Sequence, residues 1–180
     1  MRIRTTAALI AALGMALVGT GPASAEVTSA HDGADATASL NDMLGIRVDH
    51  GAERVTVRIR FTDLRRSSTA GPASIAIFLD TRGDRRGPEY RLGSGLQSGT
   101  DFQLMRARDW KPVGAPKTCP HDVDLQFARD RLVFTVARGC VGDPDRVRAG
   151  ARMTDLFDGS HPVIDWIKKR RGWTARVVSD

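Results

Sequence analysis

Apolar residues in this chain recur at every second position, in short runs cut by Gly, Pro or Asp, and that period belongs to strands buried on one face. Leu44, Ile46, Val48 and His50 alternate, as do Val55, Val57, Ile59 and Phe61, with Thr56, Arg58 and Arg60 between them. The segment 51–53 between the two runs reads as a hairpin turn. Further runs cover 75–79, 90–92, 102–104, 123–127, 132–136, 147–153 and 173–178. About nine short strands with turn residues between them predict an all-β chain, an antiparallel, jelly-roll-like β-sandwich. Helical spacing occurs only in 161–169, where Val163, Trp166 and Ile167 follow Pro162, and it predicts one short helix near the C-terminus.

The first residues carry a different pattern. Arg2 and Arg4 precede an apolar run from Ala7 to Val18, and Ala23-Ser24-Ala25 supplies the small residues of a cleavage site before Glu26. Residues 1–25 therefore read as a signal peptide, and the chain as secreted and extracellular. No other segment approaches the roughly 20 apolar residues of a spanning helix, so no membrane insertion is expected. Residues 26–38 are small, polar and patternless and read as a flexible N-terminal segment, leaving 39–180 as a single β-sandwich domain.

Charge narrows the partners. The 180 residues carry a formal charge of +6, which falls to +4 when Arg2 and Arg4 leave and no acid does. Acids are interspersed with the basic residues, so no contiguous stripe can neutralise a phosphate backbone, and nucleic acid is not an expected partner. Arg outnumbers Lys 23 to 4 and Asp outnumbers Glu 18 to 3, a skew of GC-rich coding genomes that points to an actinobacterial source. The row Arg54, Thr56, Arg58 and Arg60, with Arg47 on the neighbouring run, makes either a basic patch for an anionic polysaccharide or cell-wall polymer or a solvated face balanced by Asp49, Glu53 and Asp63.

The two cysteines, Cys119 and Cys140, form the simplest pair an exported chain can have, a disulfide. Its loop of about 22 residues would stabilise the fold by about 3 kcal/mol. A structural zinc site is disfavoured, because only His121 lies nearby as a further ligand.

The densest group of special residues follows the run 75–79. Asp80, Asp84 and Glu89 offer hard oxygens at the end of a strand, and Gly83 and Gly87 let backbone carbonyls turn inward. Two readings stand: a calcium loop, or a polar turn whose Asp side chains bond their own backbone. Arg82, Arg85 and Arg86 oppose a cation unless they point away. A second polar group, 154–162, contains Asp155, Asp158, Ser160 and His161, which could serve a hydrolase or simply cap a turn before Pro162. No Gly-x-Ser-x-Gly, Walker or His-Glu-x-x-His motif occurs, and His31, His50, His121 and His161 are scattered.

The order of a strand ending Leu79-Asp80, the Gly/Asp loop, Gly87-Pro88-Glu89-Tyr90, Trp110 before a cysteine, and a late Asp-rich loop leading to Trp166 resembles small exported actinobacterial β-sandwich proteins, themselves similar to DOMON and family 9 carbohydrate-binding modules. The resemblance implies a sandwich with calcium at Asp80, Asp84 and Glu89 and a ligand on one sheet face or rim. Sugar binders of this kind stack rings on exposed aromatics. Trp110 and Trp166, in polar turn-rich contexts, are the candidates, with a core role as the other reading; Trp173 opens the last run, where burial is expected.

Together these observations predict a secreted, non-catalytic binding or structural module, calcium its candidate cofactor, with an extracellular glycan or envelope polymer as ligand. The alternative is a small secreted hydrolase using carboxylates and His161.

Overall fold

The computed structural model describes residues 25–67, 73–156 and 161–179. The expected signal peptide through Ser24, together with Asp158 and Ser160, lies outside them. Among the described residues, twelve strands build two antiparallel sheets: β1 (Glu26–His31), β2 (Met43–His50), β3 (Arg54–Phe61), β4 (Ala73–Asp80), β5 (Tyr90–Gly95), β6 (Gln103–Arg108), β7 (Lys111–Val113), β8 (His121–Gln126), β9 (Arg131–Ala137), β10 (Arg146–Asp155), β11 (Val163–Trp166) and β12 (Val177–Val178). One sheet runs β1-β2-β3-β9-β8 and the other β11-β10-β4-β5-β6-β7, with β12 paired to the start of β10. The β-sandwich expected from the alternation is the fold observed.

The alternation fixes what each sheet turns inward. Ile46 and Val48 of β2, Val57 and Ile59 of β3, and Leu132, Phe134 and Val136 of β9 meet Ile75, Ile77 and Leu79 of β4, Leu92 of β5, Leu104 of β6 and Ala149, Ala151 and Met153 of β10 in one core. Each fully buried large side chain contributes about 1.5–3 kcal/mol relative to exposure. Register follows from the pattern, with Ile46 opposite Ile59 and Val48 opposite Val57 across the expected turn. β4 is buried on both faces, because Ala76, Phe78 and Asp80, which point away from the core, are also covered. An uninterrupted apolar run such as 75–79 is the signature of such a strand.

Three expectations are corrected. The segment 161–169 holds a strand, β11, in place of the short helix: Arg152, Met153 and Thr154 of β10 pair with Trp166, Asp165 and Ile164. Two helical turns are marginal on their own, whereas the open edge of β10 supplies main-chain partners. Residues 26–31 form an edge strand on β2, from Glu26 opposite His50 to His31 opposite Gly45. That strand buries only Ala30, so its formation rests on main-chain bonding and left no apolar pattern to read. The last run shrinks to β12, and Trp173 lies outside any strand. The Cys119–Cys140 disulfide is present, with a Cα–Cα distance of 5.8 Å. Among the described residues no helix is long and apolar enough to cross a membrane.

Candidate functional site

The expected calcium ligands do not converge. Asp80, fully buried at the end of β4, is held by two arginines: Arg148 Nε donates at 2.8 Å and Arg176 donates at 2.9 and 3.0 Å. Asp84 is exposed and accepts from Arg82 at 2.7 and 3.0 Å, a bond that holds its carboxyl below the usual range. Glu89 accepts from the Thr81 N–H at 2.9 Å, while burial pushes its carboxyl up. Each carboxylate thus has its own partner, and Asp80 clamps β10 and the C-terminal segment to β4. Breaking one partner of such a buried pair typically costs 3–5 kcal/mol.

Trp110 and Trp166 do come together, but as packing partners. Their ring centroids lie 5.3 Å apart at 76°, both rings pack on Phe78 at 4.8 and 5.8 Å, and Trp173 lies 4.6 Å from Trp110. The crossed rings do not form the flat pair that stacks on a sugar. They cover the outer face of β4 and β10, where Gly150 leaves room: a side chain there would begin 2.5 Å from the Gly172 carbonyl oxygen. Arg148 lies over Trp173, Arg152 over Trp166 and Arg171 over Trp110, at 4.9, 5.8 and 5.9 Å from the centroids. Trp110 reaches this cluster through a strained turn, with Asp109 and Trp110 both left-handed at φ 50° and 67°. Such a conformation favours Gly or Asn, and aromatic packing offsets its cost.

The carboxylates that do gather are Asp35, Asp42 and Asp165, with one oxygen from each within 4.8 Å of the others. Asp35 and Asp42 come from the loop between β1 and β2. Asp165 comes from β11, where it faces inward beside core residue Met153. Asp42 and Asp165 are 2% and 3% exposed. Asp42 Oδ1 accepts from the Ala36 N–H at 3.2 Å and Asp165 Oδ2 from the Met43 N–H at 2.8 Å, which leaves Asp165 Oδ1 buried without a hydrogen-bond partner. Burial, aided by the negative charges of Asp42, Asp32 and Asp35, pushes the Asp165 carboxyl up to about 7, against the opposing Met43 bond. Burial also raises Asp42 and the adjacent Asp32. Among the described residues no Lys or Arg forms an ion pair with the three, so the group could hold a metal ion.

A second unanticipated feature opens at one end of the sandwich, a cleft of about 290 Å³ beside the β4–β5 loop. Arg106 and Arg108 continue the inward row of Leu104 along β6, past the point where the core ends. Arg82 and Arg85 enter from the loop, Tyr90 forms part of the lining, and Val141-Gly142 make a wall tied by the disulfide at Cys140.

Of the residues of the hydrolase alternative, Asp155 and His161 are among those described. Asp155 is buried and accepts from Ser39 Oγ at 2.5 Å and Asn41 Nδ2 at 3.4 Å, while His161 is exposed at the end of the 161–179 segment. On the other sheet Arg47 and Arg58 share Asp49, which partly neutralises the basic row. Comparisons with family models, curated proteins and solved structures return no match.

Proposed function

We propose that the chain is a secreted, non-catalytic β-sandwich module stabilised by calcium, with an extracellular glycan or envelope polymer as its ligand. The observation that carries the reading is the Asp35, Asp42 and Asp165 group. Three carboxylates within 4.8 Å, two of them buried and without a counter-cation, repel one another unless a proton or a cation intervenes. The unpartnered Asp165 Oδ1 fits the oxygen-only ligand set that calcium takes, with backbone carbonyls and water completing six to eight ligands. Such an ion would join the β1–β2 loop to β11 and so fasten one sheet to the other. The disulfide suits an oxidising compartment. Support for a non-catalytic role comes from Asp155, whose carboxylate is taken up by Ser39 and Asn41.

The test is thermal unfolding of the oxidised chain with calcium and with chelator, for the wild type and for Asp165→Asn. Filling the site to a hundred times its dissociation constant adds about 2.7 kcal/mol, equivalent to about 5–10 °C in a chain of this length. The shift is expected in the wild type and absent in Asp165→Asn; coincident wild-type scans would remove the metal from the reading.

A further inference from the structure

We propose that the cleft lined by Arg85, Arg106 and Arg108 is the ligand site of this module and that it takes an anionic saccharide unit, carboxylated or sulfated. The inference rests on the binding-module reading and names its ligand class.

Donors outnumber acceptors there. Four guanidinium groups, of Arg82, Arg85, Arg106 and Arg108, line the cleft together with a single carboxylate, Glu89. Glu89 already accepts from the Thr81 N–H, and on the rim Asp84 occupies Arg82, with the Arg85 charge adding to that pair. The side chains of Arg85, Arg106 and Arg108 make no ion pair or hydrogen bond with any described residue. Elsewhere among the described residues Arg58, Arg138, Arg148 and Arg176 have carboxylate partners, whereas Arg54, Arg60, Arg129 and Arg146 do not; what sets the cleft apart is that its unpaired guanidinium groups line one cavity. A guanidinium fork is complementary to the paired oxygens of a carboxylate or sulfate, and several around one cleft raise both affinity and encounter rate.

The cleft is also pre-shaped. Gly142 sits at φ 83°, and a side chain on it would begin 3.3 Å from the Tyr90 hydroxyl. Glycine therefore keeps that hydroxyl open to the cleft, where it can bond a sugar hydroxyl. Lys117 lies 5.5 Å from the Tyr90 ring centroid and adds positive charge behind it. The volume of about 290 Å³ suits one or two sugar units.

The experiment is calorimetric titration of the oxidised chain, in calcium and at low salt, with a glucuronic-acid disaccharide, a sulfated disaccharide and neutral cellobiose. It is repeated on Arg106→Gln/Arg108→Gln and, as a control, on Arg47→Gln. The expected result is binding of an anionic probe, with either probe identifying its oxyanion, no binding of cellobiose, and at least tenfold weakening in the double variant with its melting temperature unchanged. Should the double variant lose stability, Arg85→Gln on the exposed loop supplies the same reading. Anionic binding that these variants leave unchanged overturns the cleft and leaves the module reading standing. Preference for cellobiose overturns the anionic class, and failure of all three probes overturns the cleft as a saccharide site; neither outcome alters the calcium scan, which tests the metal part of the module reading separately.

Discussion

Asp165 on β11 accepts a hydrogen bond from the backbone N–H of Met43 at the start of β2, 2.8 Å away and 122 residues earlier in the chain. That contact crosses from one sheet to the other and leaves the second oxygen of the same carboxylate buried and unpartnered. The edge of the sandwich is thus closed by an acid that carries a cost when it ionises without a cation.

The pH dependence has a definite sign. An aspartate titrates near 3.8 when the chain is unfolded, and Asp165 is raised to about 7 in the folded state. Between these values the folded state holds a proton that the unfolded state releases, so in chelator this group makes stability fall as pH rises from about 4 to about 7. Calcium should flatten that decline. Unfolding scans across this window, with and without calcium, check it; a steady rise with pH in chelator would contradict it.

Asp80 should behave as a structural residue. Replacing it with Ala leaves Arg148 and Arg176 without their shared acceptor and is expected to cost about 3–5 kcal/mol. The calcium-induced shift should survive, because Asp80 is not among the three gathered carboxylates. Denaturant unfolding of Asp80→Ala with and without calcium separates the two effects.

Gly150→Ala introduces a methyl group directly beneath the Gly172 carbonyl oxygen and the Trp173 ring. Overpacking of this kind costs about 1–3 kcal/mol. Because Trp173 packs on Trp110, the displaced segment should also change the tryptophan fluorescence of the folded protein. A variant with wild-type stability and spectrum would contradict the close approach of the 172–173 segment to position 150.

Reduction of Cys119–Cys140 should lower stability by about 3 kcal/mol through the unfolded chain. It should also weaken any ligand held against Val141-Gly142, since the bond anchors that wall. Denaturation midpoints and ligand titration with and without reductant measure the two effects.

The fold class was legible because alternation is local. Val55, Val57, Ile59 and Phe61 announce their buried face without reference to the rest of the chain, and the isolated cysteine pair announces its disulfide. β1 and β11 were not legible, because edge strands depend on a neighbour's free N–H and C=O groups and need little apolar surface of their own. The sites were harder still. Asp80 looked like a metal ligand until Arg148 and Arg176, 68 and 96 residues away, occupied it. Asp35, Asp42 and Asp165 share no motif, and only the docking of β11 beside the start of β2 brings them within 4.8 Å. Arg106 and Arg108 carried the one readable trace, the inward period of Leu104 continued by charge. The sequence by itself determined which residues face inward along each strand, since side-chain period is a property of the local backbone. Tertiary structure alone decided which charges meet, since electrostatic partners are chosen by distance in space and not by spacing along the chain.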